Sequence, residues 1–348
     1  MNIDLPFNKD APIAVTGGTG FVGSYLLRTL VNQGCTQIKA LRRKTSKMDL
    51  LGDAKDKIEW IEGDLLDTEI IRNFTKNIDL LFHCAAFVSF NPSEKKKLYR
   101  INVGGTAELV DAALENGVKK VVHCSSVAAL GQDLKGQPIN EETEWREFSG
   151  ISDYALSKYY SELEIWRAAA EGLNVTVLNP SVVLGAGYWN QGSAAMIKQV
   201  NREVSFYPAG DGGFVDVRDV AKMMIMCADE KLNNRRFVSS ADNHSYHFIL
   251  QRIAEHLDKP VPSRKINNWM IHTLPPVLKL LRSFGMKVPP LSKPMLRAAA
   301  KKSQYDNSSF IKATGFTYYP LEKTISQSCI EFKKSLDSDK RYGLLSID

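Results

Sequence analysis

Apolar residues in the first half of the chain fall in short runs. Between the runs they recur every three or four positions. The first run, Ile13-Ala14-Val15, stops at Thr16-Gly17-Gly18-Thr19-Gly20. Directly after it, Phe21, Val22, Leu26, Leu27, Leu30 and Val31 mark one face of a helix. That order reads as strand, tight turn and helix. Further strand-like runs follow at 38–41, 58–61, 79–85, 120–125 and 174–178. Helices are expected over about 101–116 and 153–171. Such alternation predicts an α/β fold, a Rossmann-type doubly wound parallel sheet with helices on both faces. Ligands of these sheets gather at the carboxyl ends of the strands.

Beyond Pro180 the rhythm loosens. Glycines and aromatics crowd 185–213. Gly213-Phe214-Val215-Asp216-Val217, running into Arg218, reads as a strand-to-helix pair returning to the main scaffold. From Ser245 the pattern is mostly helical, with a proline-rich break at 259–262. The segment 269–284 is apolar and amphipathic, carrying Met270, Ile271, Leu274, Val277, Leu278, Leu280 and Leu281. Its Pro275-Pro276 pair predicts a broken helix. A packed lid or interface helix is favoured there over contact with a membrane surface.

The totals change this picture little. A chain of 348 residues, 44% hydrophobic and 24% charged, is long enough for one large α/β unit with a smaller lobe. The net charge of +6, from 45 basic and 39 acidic residues, is too diluted to argue for nucleic acid. The five cysteines show no paired spacing, which points to free thiols in a reducing compartment. His244 and His247 have no nearby ligands to complete a metal site, so no metal is expected. No basic-then-apolar leader and no bilayer-length apolar run is seen, and a cytoplasmic location is the expectation.

The chemistry starts at the glycine turn. Gly17, Thr19 and Gly20, with Phe21 and Val22 opening the helix, place free N–H groups and a positive dipole end where a pyrophosphate would sit. Leu41-Arg42-Arg43-Lys44 follows the second strand, with no acid before Asp49. A carboxylate there would suit the 2′-hydroxyl of NAD, whereas guanidinium grips a 2′-phosphate. The expected cofactor is therefore NADP(H), with Arg42 first and Arg43 second. Ala85 and Ala86, small residues after the fourth strand, let a cofactor lie close to the backbone. Tyr154 and Lys158 lie one helical turn apart. A cation lowers a phenol's pKa from about 10 and makes it a usable proton donor to a carbonyl. Ser125-Ser126 ends the fifth strand on the same predicted edge.

Thr-Gly-Gly-Thr-Gly-Phe-Val-Gly, Ser-Ser-x-x-x-x-Gly and Tyr-x-x-x-Lys, in this order, resemble the extended short-chain dehydrogenase/reductase family, from about Ala11 to Leu336. Asn102, in an Asn-Val-x-Gly-Thr-like element, and the late segments Tyr305-Asp306-Asn307-Ser308 and Gly315-Phe316-Thr317 add to the resemblance. It implies that Tyr154 is the acid/base, that Lys158 also bonds the nicotinamide ribose, and that Ser126 polarises the carbonyl. It further implies that Asp64 and Leu65 frame the adenine and that a homodimer forms. Pro180-Ser181-x-x-x-Gly185 is similar to the dihydroflavonol reductase and 3β-hydroxysteroid dehydrogenase subgroup, in which Pro180 and Val183 would flank the nicotinamide. Asn179 stands where the family usually has arginine.

The resulting division has residues 1–180, joined by 213–240, as the NADP-binding domain. Residues 181–212 and 241–348 form a substrate lobe. Candidate substrate contacts are Ser126, Phe87, Val88, Tyr188 and Trp189, with Phe90, Phe206 and Tyr207 as further aromatics; core packing is the competing role for these rings. Only Lys198 and Arg202 offer cations nearby, which favours an apolar or aromatic carbonyl compound or its alcohol over a sugar nucleotide. A nucleotide-sugar epimerase or dehydratase, and a non-catalytic NADP-binding regulator, are the alternatives.

Overall fold

A computed structural model of the chain describes residues 4–131, 136–146, 151–283, 292–338 and 340–347; side chains in 279–283 lie outside the description. The strands are β1 (Ile13–Thr16), β2 (Ile38–Arg42), β3 (Glu59–Glu62), β4 (Leu80–His83), β5 (Lys120–Cys124), β6 (Asn174–Pro180), β7 (Val182–Leu184), β8 (Phe206–Tyr207), β9 (Asp211–Asp216), β10 (Arg235–Ser239), β11 (Asp242–Ser245) and β12 (Arg264–Lys265). The helices are α1 (Phe21–Asn32), α2 (Thr68–Phe74), α3 (Lys95–Tyr99), α4 (Gly105–Glu115), α5 (Asp153–Ala170), α6 (Ala195–Asn201), α7 (Val217–Met226), α8 (Tyr246–Leu257), α9 (Asn268–Ser283), α10 (Lys293–Ala300), α11 (Ser308–Thr314) and α12 (Leu321–Leu336).

The main sheet runs β3-β2-β1-β4-β5-β6-β10, with every neighbouring pair parallel. Its central strands are buried along their length, as a sheet covered on both faces requires. One face packs on Leu26, Leu27 and Leu30 of α1 and on Val220, Met223 and Met224 of α7. The other packs on Ile71 and Phe74 of α2, Leu109 and Val110 of α4, and Ile165 and Ala168 of α5. The strand order reverses between β1 and β4. The glycine turn leaves β1 at that switch point, where the carboxyl edge opens.

The structure revises two expectations. The strand at 213–216 does not join the main sheet. It lies in β9, at the centre of a second sheet ordered β11-β9-β7. The place beside β6 is taken by β10, whose Phe237 and Val238 are fully buried. Gly213 suits β9 to its crowded position, since a Cβ there would stand 2.2 Å from Ser240 Oγ. Helix α7 does return to the main scaffold, against α1. The second revision concerns Pro275 and Pro276, through which α9 runs without ending. Met270 and Ile271 bury against Ile266 and Leu296, and that packing outweighs the backbone bonds the prolines remove. Trp269 and Val277 stay exposed; the side chains of Leu280 and Leu281, and Phe284, lie outside the described residues. Among the described residues no helix is long and apolar enough to cross a membrane.

A buried ion pair at the start of α7 ties that helix to α12. Arg218, in the first turn of α7, grips Asp216 with Nε at 3.0 Å and Nη2 at 2.6 Å. Thr324 of α12 donates to the same carboxylate at 2.7 Å, and Gln327 accepts from Arg218 Nη1 at 2.8 Å. The Tyr319 ring lies 4.1 Å beneath the guanidinium. Breaking such a pair leaves an unpaired buried charge. Arg218→Met is therefore expected to lower stability by about 3–5 kcal/mol in urea denaturation. A loss under about 1 kcal/mol would show that the carboxylate is satisfied without its partner.

Candidate active site

The glycine turn is built by close approach. Gly17 has φ +71°, and a Cβ there would stand 2.5 Å from Ala85 N and from the Cys84 carbonyl carbon. At Gly23 a Cβ would stand 2.3 Å from the Gly17 carbonyl oxygen. No side chain fits at either position, so the turn lies directly on the end of β4. Gly20 caps α1 without a side-chain bond, which leaves the helix's first N–H groups facing the edge. The Phe21 ring turns away and packs on Gly185 and Gly187. Val22 packs against the sheet core.

Ser152 starts α5 by accepting from Ala155 N at 3.1 Å, which places Tyr154 in the first turn. The Tyr154 hydroxyl faces the Ser126 side chain, and the Phe90 ring lies 5.6 Å away. Lys158, 2% exposed, donates from Nζ to the Cys124 carbonyl at 3.0 Å. Serine, tyrosine and lysine thus meet at the carboxyl ends of β5 and β6. The expected softening of the phenol is not what the structure gives. Burial pushes Tyr154 up to about 12; the neighbouring Ser126 hydroxyl pulls the other way but less strongly. Burial also lowers Lys158, opposed by nearby Cys124 and Glu162. Below about pH 10 the phenol therefore holds its proton, the state a donor needs.

Sequence reasoning missed the carboxylate beneath this cluster. Glu162, one turn beyond Lys158 and 2% exposed, accepts from Ser125 Oγ at 2.7 Å and Asn179 Nδ2 at 2.8 Å. Trp166 Nε1 donates to it at 3.2 Å, and Arg236 Nη1 stands 3.3 Å away. Asn179 Nδ2 also donates to the Ser126 carbonyl at 3.0 Å. The departure from the family pattern at 179 now has a reason. An arginine at 179 would lie against Glu162; here Asn179 holds the serine turn, and Arg236 of the neighbouring β10 brings the positive charge. The i, i+4 spacing from Lys158 was the available sequence signal.

A second polar column holds the opposite side. Asn102 accepts from Phe87 N at 2.7 Å and donates to Phe87 O at 2.9 Å and to Ser157 Oγ at 3.0 Å. It pins the loop after β4 to α5. Next to it, Thr106 Oγ1 donates to the Asn102 carbonyl at 2.6 Å and so must accept from His83 Nε2 at 2.9 Å. His83 Nδ1 then accepts from Thr16 at 2.7 Å. Burial pushes His83 down to about 3, so it stays neutral and fixed in that tautomer.

Of the remaining predicted positions, Ala85 lies against Gly17 and is partly buried, and Ala86 is exposed. Asp64 Oδ1 accepts from Leu66 N at 3.0 Å, and Leu65 buries against Gly105. Arg43 and Asp64 border a cavity of about 700 Å³, with Asp67, Glu69, Lys97, Arg100 and Ile101 also in its lining. Arg42 stands 3.8 Å from Glu62. Pro180 is buried and Val183 partly so. Phe87 carries Lys97 over its ring at 4.3 Å, and Val88 is 59% exposed.

Two substrate candidates are employed elsewhere. Trp189 is a core residue, 3% exposed and edge-on to Phe332 of α12. Tyr188 donates to Asp49 Oδ2 at 2.9 Å and meets Tyr342. An indole fills the gap left by Gly343, and a phenol finds a carboxylate acceptor; neither contact belongs to the Tyr154 cluster. Phe206 lies exposed beside Arg264, and Tyr207 stacks on His247 at 4.1 Å. His244 stacks on Phe248.

Glu162→Gln removes the charge but keeps the shape. Loss of charge-assisted hydrogen bonds predicts a drop of about 1–3 kcal/mol in urea denaturation. An unchanged midpoint would show that the amide serves as well and that Glu162 does not hold the serine turn electrostatically.

The sequence profile described as "NAD dependent epimerase/dehydratase family" matches residues 13–238, well over half of the chain. A "Putative dihydroflavonol 4-reductase" of Synechocystis is 29% identical over 323 residues, spanning 90% of this chain and 92% of that protein. "Sterol demethylase protein B" of Methylococcus capsulatus is 31% identical over 253 residues, covering 71% of this chain and 75% of that protein. Among solved structures, that of gox2253 superposes with a TM-score of 0.79 at 26% identity, covering 93% of this chain and 98% of its own. With the glycine turn on the switch point and Ser126, Tyr154 and Lys158 on one edge, these matches establish that the chain belongs to the NAD-dependent epimerase/dehydratase family.

Proposed function

We propose that this chain is an NADP(H)-dependent reductase of a ketone or aldehyde carried by an apolar or aromatic small molecule, or the alcohol dehydrogenase running in reverse. The observation that carries the reading is the Tyr154 hydroxyl, facing Ser126 and beside Phe90, one turn from a buried Lys158. The likeness to a reductase along nearly the whole chain supports it.

When bound, the dinucleotide supplies or accepts a hydride. The chain's own residues do the rest. The Gly17–Gly20 turn and the start of α1 bind the pyrophosphate. Ser126 Oγ donates to the substrate oxygen and fixes its direction. Tyr154 gives its proton to that oxygen as negative charge develops there. Lys158, held by the Cys124 carbonyl, places a cation next to the phenolate that remains. Phe90 lies beside Tyr154 and, with Phe87, offers apolar surface on the substrate side.

Phosphate preference rests on Arg42 and Arg43. The 3.8 Å separation from Glu62 is too long to engage Arg42 fully, and its buried Nε has no partner among the described residues. Arg43 opens onto a cavity it shares with Lys97 and Arg100, whose charge Asp64, Asp67 and Glu69 in the same lining offset in part. These cations favour a dianionic 2′-phosphate over a bare hydroxyl.

A panel of aromatic and aliphatic carbonyls, followed by NADPH fluorescence, tests the reading. Net coenzyme oxidation is expected with at least one of them; an epimerase would show none. On that substrate Tyr154→Phe should cut turnover by about a hundredfold or more, with NADPH affinity within about threefold of the parent. Undiminished turnover would remove Tyr154 from the reaction. Replacing both arginines by alanine should weaken NADPH by at least about tenfold more than NADH. Equal losses would overturn the phosphate assignment.

A further inference from the structure

Five cysteines are present, and the structure sorts them. Cys35, Cys227 and Cys329 are buried in the apolar core. Cys84 and Cys124 are partly exposed. Strands β4 and β5 are parallel and in register through His83 opposite His123. Cys84 directly follows β4 and Cys124 ends β5, so the two cysteines stand side by side at the carboxyl edge. Paired strands run about 5 Å apart, inside the Cα separation of about 4.4–6.8 Å that a disulfide spans. The two thiols are close enough to perturb each other's ionisation, and Cys84 Sγ lies 3.6 Å from Met224 Sδ.

Their backbones belong to the site. Gly17 packs on the Cys84 carbonyl carbon, and the Cys124 carbonyl holds Lys158. Their backbones thus adjoin the edge assigned above to the dinucleotide, while the partly exposed thiols turn toward α7 just beneath it. The proposed chemistry uses neither of them.

We propose that Cys84 and Cys124 are an oxidation site, a dithiol that a peroxide closes to a disulfide in the coenzyme-free protein and that a bound dinucleotide shields. The shielding half rests on the coenzyme placement proposed above; the bridge itself does not. Cys124 attacks first. The neighbouring Cys84 thiol and the Lys158 ammonium both favour its thiolate, against the opposing effect of burial. The thiolate sulfur takes one peroxide oxygen, the O–O bond breaks, and hydroxide leaves to be protonated to water. Cys84 sulfur then attacks the sulfenic sulfur, the S–O bond breaks, and a second water leaves with the Cys84 proton. Two thiols lose two electrons, one peroxide gains them, and two waters form.

Full-length protein without coenzyme is treated with hydrogen peroxide, alkylated, digested without reductant and analysed by mass spectrometry. The expected product is a peptide pair linked through Cys84 and Cys124, with two thiols lost and both regained after dithiothreitol. Cys84→Ser should abolish the link and leave a dimedone-reactive sulfenic acid at Cys124. Cys124→Ser should abolish the link and slow oxidation at Cys84 by about tenfold or more. Saturating NADP⁺, its binding measured separately, should slow bridge formation by about tenfold or more. Oxidation that falls on Cys35, Cys227 or Cys329, or no linked pair, overturns the site. NADP⁺ that binds without protecting overturns the shielding. NADP⁺ that fails to bind overturns the coenzyme reading and leaves the bridge standing.

Discussion

A lysine taken out of water is the constraint around which this molecule is arranged. Lys158 is almost completely buried, and a buried ammonium needs acceptors and a counter-charge. The Cys124 carbonyl at the end of β5 provides the first and Glu162 the second. Meeting both demands presses α5 against the ends of β5 and β6. That position brings Tyr154 to Ser126. Glu162 then draws in Ser125 and Asn179, and Asn179 fixes the Ser126 carbonyl. One buried charge thus orders two strands, one helix and the serine turn between them.

The neighbouring edge is shaped by contact rather than charge. Gly17 lies on Cys84 and Ala85 at a distance no Cβ permits. The column from Thr16 through His83 and Thr106 to Asn102 locks β1, β4 and the loop carrying Phe87 against the helices behind them. Because His83 stays neutral, this frame does not loosen over ordinary pH. A rigid frame is what a proton donor and an anion-binding turn require if both are to face one ligand.

Much of this was legible in the chain. The alternation of runs and helical faces gave the parallel sheet, and the glycine turn, serine pair and Tyr-x-x-x-Lys element come together as their order implied. Other features depended on neighbours distant in sequence. Whether 213–216 paired with β6 or with β7 turned on β10, which lies later in the chain and fills the same edge. Tyr188 and Trp189 look like a ligand wall because aromatics serve both roles; only the contacts with Asp49 and Phe332 decide. Periodicity cannot weigh two prolines against the burial of Met270 and Ile271. The phenol's ionisation also escaped, since the Tyr–Lys spacing records a nearby cation but not the burial that opposes it.

The most direct measurement is a crystal structure of the protein with NADP⁺. The account places the pyrophosphate on the Gly17–Gly20 turn and the nicotinamide beside the Tyr154 hydroxyl, above Cys84 and Cys124. A nicotinamide lying elsewhere, or a Tyr154 hydroxyl directed away from the ring, would contradict it.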